Sequence, residues 1–213
     1  MLNTHPHSQL PSYLAEAFSE LYAEDGLVVL GRGLGWLGLL GSFVRFYGDA
    51  EHGYAAASAD DGAAAATVAG APRKPPLVFV LNLRDREREV LLDMLIAWGT
   101  PPAALPRIVT NEAGPAGERA VLYARGGVFV VTSRILIVDL LNGTAPVRDV
   151  AGMLVAHGDR VRGEGSTEAF ILRIFRGQRR IAAGEGGGAV DGGFVKGEPR
   201  RDVKGRASPS ARF

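Results

Sequence analysis

The chain has 213 residues, 46% of them hydrophobic, and a formal net charge of +1. This apolar fraction supports a packed core and excludes disorder throughout, while the near-neutral charge argues neither for nor against a nucleic-acid partner. The absence of cysteine excludes disulfides, thiolate metal sites and cysteine nucleophiles together. No run approaches the ~18 apolar residues of a membrane span, and the first residues lack the layout of a secretory signal. A soluble, intracellular protein is expected.

In chain order, residues 1–9 read as a flexible terminus. From Leu10 onward, Tyr13, Leu14, Phe18 and Leu21 recur at the spacing of one helical face. Gly26 leads into Leu27-Val28-Val29-Leu30, an apolar run of buried-strand type, followed by the turn Gly31-Arg32-Gly33-Leu34-Gly35. The spacing then predicts a helix over 36–46, with Leu37, Leu40 and Val44 on one side. Residues 48–76, rich in alanine, glycine, proline and aspartate, read as a disordered insertion. Leu77–Leu81 reads as a second buried strand, and 86–98 as a helix with Val90, Leu91, Met94, Leu95 and Trp98 together. Val128–Val131 reads as a third strand, 134–141 as a short helix and Met153–Val155 as a fourth strand. A last helix is expected over 166–176, with Glu168 in its first turn and Arg173 and Arg176 near its end, as the helix dipole favours. Residues 184–213 have no core-forming pattern and read as a low-complexity, mostly disordered tail. Buried strands alternating with amphipathic helices predict an α/β domain over 10–183, a parallel sheet with helices on both faces.

In such a sheet, chemistry belongs to the loops at the carboxyl ends of the strands. Gly33, Gly35 and Gly38 form a G-x-G-x-x-G, but the acidic ribose partner of a dinucleotide site is replaced by Asn82. As a phosphate loop the same segment lacks its lysine, and Ser42 comes several residues late. A small nucleotide-binding enzyme using the loop at 31–38 stands as the alternative reading. Of the histidines, His5 and His7 fall in the terminus and His52 in the insertion, while His157 follows the fourth strand alone as a polar loop residue. No pair has zinc-ligand spacing, and no metal site is expected.

As an ordered series these segments resemble the N-terminal part of the XPF (xeroderma pigmentosum group F) family of DNA repair endonucleases. The resemblance is carried by DGLVVLGRGLG from Asp25, LVFVLN from Leu77 and LPRIVTNE from Leu105. GGVFVVTSRILIVDLL from Gly126 and STEAFILRIFR from Ser166 complete it, and together the runs cover most of 10–180. It implies a RecA-like, superfamily-2 helicase-like fold, here an incomplete first lobe whose ATPase elements have decayed. Gly31, Gly33 and Gly35 are then a degenerate nucleotide loop, and Ala156 and His157 stand where the acidic pair of a working helicase would be. Thr132, Ser133 and Arg134, where the third strand turns into a helix, correspond to a phosphate-backbone contact, with a plain helix cap as the competing reading.

The family further implies branched or damaged DNA as a partner, the 5′ incision of nucleotide excision repair, a nuclear location and other repair factors. A smaller non-catalytic subunit binds a C-terminal domain, and the nuclease domain uses magnesium or manganese. Neither domain is expected here, because the match fades after Arg180 apart from the fragment Gly193-Phe194-Val195-Lys196, which resembles the family's next strand. The nuclease motif E-R-K-x-x-x-D has only a false echo at Glu87-Arg88-Glu89-Val90-Leu91-Leu92-Asp93, where Glu89 reverses the charge of the lysine. That segment reads as the charged face of a packed helix. The expected function is therefore an ATPase-dead DNA- and partner-binding module that needs no cofactor of its own.

Overall fold

The computed structural model describes residues 10–49, 74–161, 163 and 165–182. The expected flexible terminus, most of the expected insertion, the tail after Ala182, and His5, His7 and His52 lie outside the described residues.

Four parallel strands, β1 (Leu77–Leu81), β2 (Arg107–Val109), β3 (Gly127–Val131) and β4 (Val150–Val155), form one sheet in the order β2-β3-β1-β4. β1 is central, with Phe79 opposite Phe129 of β3 on one side and Met153 of β4 on the other. Every side chain of β1 is buried, which is why this run lacks polar alternation. Its odd positions face one layer and its even positions the other. Leu77, Phe79 and Leu81 pack with Phe129, Val131, Tyr123, Leu136, Leu140 and Ile171. Val78 and Val80 pack with Val128, Val130, Leu40, Val44, Leu91 and Leu95. Each such side chain contributes about 1.5–3 kcal/mol relative to exposure.

The helices follow from these faces. α1 (Ser12–Ala23) buries Leu14 and Phe18 against α2 (Trp36–Gly48), where the Phe18 and Phe43 rings stack at 4.1 Å. α2 gives its other side, Leu40 and Val44, to the sheet together with Leu91 and Leu95 of α3 (Asp85–Ala97). The opposite face is covered by α4 (Ala116–Ala124), α5 (Ser133–Leu141) and α6 (Thr167–Ala182). The expected α/β architecture, a parallel sheet with helices on both faces, is the one observed.

Four expectations need correction. Leu27–Leu30 is not a strand: Leu27 is 76% and Val29 85% exposed, while Val28 and Leu30 pack on the α1–α2 cluster. The apolar run supplies side chains for that cluster, but no strand within the described residues pairs with its backbone. The ordered body also extends into both ends of the expected insertion, since α2 runs to Gly48 and Lys74, before β1, bonds Asp149 at 2.6 Å. The last helix continues past Arg176 to Ala182, with the Gln178 amide donating to the Leu140 carbonyl at 2.9 Å. Finally, Val90 is exposed on α3, leaving Leu91 and Leu95 as its buried positions.

A charged group lies inside the core. Asp139 of α5 is 0% exposed and accepts two hydrogen bonds from Arg119, at 2.9 and 2.6 Å, and one from the Tyr123 hydroxyl at 2.8 Å. Arg119 also donates to the Gly114 carbonyl at 2.7 Å. Its guanidinium is held above its ordinary pKa by the hydrogen bond and charge of Asp139. Burial, reinforced by Asp139, pushes the Tyr123 phenol up. This cluster ties α5 to α4.

Candidate functional site

All four strands are parallel, so their carboxyl ends share one edge of the sheet, and the loops there carry the candidate residues. Two adjacent strands end in left-handed, non-glycine residues: Asn82 after β1, with φ of 65°, and His157 after β4, with φ of 54°. Such backbone costs energy at ordinary side chains and collects at functional edges. Ala156 still belongs to the sheet, its amide donating to the Leu81 carbonyl at 3.0 Å. His157 then turns out of it.

His157 is not the isolated loop residue expected from sequence. Its Nε2 lies 2.9 Å from both carboxylate oxygens of Glu87, in the first turn of α3, and its ring meets that of Trp36, with centroids 5.0 Å apart. Glu87 also accepts from the Arg84 amide at 2.9 Å. Burial alone would raise the Glu87 pKa, but the Arg84 amide and then His157 outweigh it and hold the carboxyl below its ordinary value. Glu87 is therefore more than one charge on a solvent face. Glu89 and Asp93 are exposed, as that reading expected.

The glycine loop reaches the same edge from α2. Gly35 occupies the N-cap of α2 in the left-handed conformation, with φ of 73°. The sequence placed Gly31, Gly33 and Gly35 after a strand, but no strand precedes them among the described residues, so the strand–loop–helix frame of a nucleotide loop is missing there as well as its lysine. Trp36, the first residue of α2, is against His157.

Thr132, Ser133 and Arg134 open α5 directly after β3. Thr132 is the N-cap by backbone, yet neither hydroxyl caps the helix. The Thr132 Oγ1 is buried without a hydrogen-bond partner, and Ser133 donates to Glu168 of α6 at 2.9 Å. The side-chain cap considered from sequence is thus not formed, leaving the first-turn amides without a side-chain acceptor. Arg134 is exposed. Glu168, read from sequence only as a dipole partner of its own helix, brings a carboxylate to this site. The Ser133 hydroxyl, the exposed Arg134 and the Ser133 and Arg134 amides suit a phosphate oxygen, while the Thr132 hydroxyl is buried and Glu168 opposes an anion.

Among the described residues no three His, Asp or Glu side chains converge as metal ligands. The echo at Glu87–Asp93 does not suit a divalent ion either, since Glu87 is engaged by His157 while Asp93 stands in solvent.

No family model matches the chain. Over 167 residues it is 37% identical to the DNA repair endonuclease XPF of Mus musculus, a stretch covering 78% of this chain and 15% of that protein. It is 30% identical over 176 residues to the DNA repair protein RAD1 of Saccharomyces cerevisiae, covering 74% of this chain and 14% of that protein. A shorter stretch of 62 residues is 47% identical to the DNA repair endonuclease UVH1 of Arabidopsis thaliana, covering 29% of this chain and 6% of that protein. The chain therefore spans about 15% of the length of the first of these relatives.

Proposed function

Because the chain belongs to the XPF family of DNA repair endonucleases over the N-terminal region it shares with them, we propose that it is a helicase-like lobe that holds DNA and hydrolyses no ATP. The observation that carries this reading is the opening of α5, where Ser133, exposed Arg134 and uncapped first-turn amides meet at the carboxyl edge of a parallel sheet. Phosphate contacts of this kind fix the position of a duplex or fork without reading its sequence.

Two features support the loss of ATP hydrolysis. The loop at Gly31, Gly33 and Gly35 offers no lysine to the β- and γ-phosphates. At the end of β4, Ala156 and His157 replace the acidic pair that would hold magnesium, and His157 is itself taken up by Glu87. The small nucleotide-binding enzyme keeps no observation in its favour.

In this reading the lobe serves nucleotide excision repair in the nucleus, helping a structure-specific endonuclease engage branched or damaged DNA before the 5′ incision. Cutting, the divalent metal it requires and the smaller partner subunit belong to the family's nuclease and C-terminal domains.

Anisotropy with a labelled DNA fork tests the proposal directly. The full chain should bind with marked salt dependence, and Arg134→Ala should weaken binding and lower the salt slope by about one. Equal affinity and slope for the two proteins would overturn the assigned contact. Magnesium-dependent cleavage of the fork, or ATP turnover, by the purified chain would overturn the module itself.

A further inference from the structure

The carboxyl edge of the sheet carries the candidate site, and the opposite, amino edge holds a separate cavity of about 620 Å³. Pro75 just before β1, Arg107 at the start of β2 and Gly127 at the start of β3 line it. The end of α2, at Gly48 and Asp49, and the turn after α3, at Gly99 and Thr100, form the other walls. Its volume falls within the range of about 300–1,000 Å³ usual for ligand sites. A five-residue strand is about 16 Å long, so the length of the sheet separates this cavity from the opening of α5.

Two cations and a hydroxyl in the walls have unmet bonding capacity. Arg45, half-buried in the last turn of α2, and Arg125, exposed at the end of α4, both line the cavity. Neither has an ion-pair partner among the described residues. Arg107 is different, since its guanidinium lies 5.7 Å over the ring of Phe129, whose side chain belongs to the layer of Tyr123 on the other face. Thr100 is 6% exposed, and its Oγ1 is buried without a hydrogen-bond partner. Native chains leave few such groups unsatisfied, and a ligand atom that meets the hydroxyl accounts for this one.

The surrounding backbone decides which anion fits. α2 and α3 both end at the cavity, and the last carbonyls of a helix lack intrahelical partners and carry the negative end of its dipole. Asp49 adds a carboxylate to the wall. A ligand that is negative throughout, such as a phosphate chain, meets repulsion between the two arginines. An acidic peptide offers both signs: carboxylates for the guanidiniums, and backbone N–H groups for the carbonyls and for Thr100 Oγ1. Pro101, Ala103 and Leu105 give an apolar wall for a side chain between the acids.

We propose that this cavity binds a short acidic segment of a partner protein, with carboxylates on Arg45 and Arg125 and a backbone N–H on Thr100 Oγ1. The site does not rest on the DNA contact assigned to α5. The lobe then holds DNA at one edge and a protein at the other.

Titration of the nitrogen-15-labelled full chain with the acetylated, amidated peptide Asp-Glu-Leu-Asp-Glu, followed by amide NMR shifts, tests the proposal. The peptide should move the Gly99, Thr100, Gly126 and Gly127 amides, and its neutral form Asn-Gln-Leu-Asn-Gln should not. Arg45→Gln and Arg125→Gln should each weaken binding about threefold or more, while Arg86→Gln, an exposed arginine outside the cavity, should not. No shift at these amides, equal shifts from the neutral peptide, or an equal loss in Arg86→Gln overturns the proposal. Pyrophosphate or a short DNA strand that moves the same amides at lower concentration also overturns it, and assigns the cavity to phosphate. Thr100→Val removes the unpartnered hydroxyl, so it should leave Tm unchanged or higher while weakening the peptide about threefold. A lower Tm with unchanged affinity gives the hydroxyl a structural role and overturns its place in the site.

Discussion

Replacing Asp139 with alanine should be among the most damaging single changes in this fold. The carboxylate is completely buried and accepts two hydrogen bonds from Arg119 and one from Tyr123. Its removal strands a guanidinium whose side chain is only 12% exposed. Breaking a buried pair on one side costs about 3–5 kcal/mol, because the remaining charge has lost its compensation. At about 2–4 °C per kcal/mol for a chain of this size, Tm should fall by roughly 6–20 °C. Tyr123→Phe leaves the ion pair in place and should cost about 1 kcal/mol. Replacing both charges, with Arg119→Met and Asp139→Leu, should recover much of the loss, since an apolar pair of similar volume needs no compensation. Urea unfolding followed by circular dichroism measures all three variants. A loss below about 1 kcal/mol for Asp139→Ala, or a double variant no better than the single, would refute the reasoning.

The remaining predictions concern the carboxyl edge and one turn. Glu87→Gln should destabilise the chain by about 1–3 kcal/mol at neutral pH by weakening its charged hydrogen bonds to His157 and the Arg84 amide. The folded pKa of Glu87 is depressed, so this stabilisation is present above the unfolded carboxyl pKa and is lost as pH falls through the folded value. Wild type and variant should accordingly converge in acid, as melts from pH 7 to pH 3 would show. Glu168→Gln should strengthen fork binding roughly fivefold at low salt, from about 1 kcal/mol of relieved repulsion beside Ser133, and anisotropy with increasing salt should erase the gain. Gly126→Ala should cost at least about 1–2 kcal/mol in urea unfolding. Gly126 has a φ of 70°, and an added Cβ would overlap the Pro75 carbonyl.

The sheet was legible where strands are buried on both faces. Leu77–Leu81 and Val128–Val131 are apolar runs that only a covered sheet can use. The same signal misled at Leu27–Leu30, because an apolar run records the need for burial and not the presence of a neighbour to pair with. β2 is only Arg107, Ile108 and Val109, with two of the three exposed, too short to show a pattern. α4 was missed because Tyr123 is its single buried residue. At the candidate site, Thr132, Ser133 and Arg134 were legible from their position after a strand. Glu168 and Glu87 were not, because they arrive from residues 35 and 70 positions away. Asp139 did leave a trace, a lone acid within Ile135-Leu136-Ile137-Val138-Asp139-Leu140-Leu141. A charge inside so apolar a helix requires a buried partner, though not which one.

The central position of β1 has a consequence for synthesis. The first of the described strands to leave the ribosome is the one that needs a neighbour on each side, and those neighbours come from residues 127–131 and 150–155. About fifty residues separate the end of β1 from the end of β3, so at about 5–20 residues per second translation leaves it unpaired for roughly 3 to 10 s. During that interval Leu77-Val78-Phe79-Val80-Leu81 is an uncharged, aggregation-prone strand with both edges open. The nascent chain should be a client for holding chaperones until β3 emerges, and codon usage between residues 82 and 131 should bear on yield more than it does elsewhere.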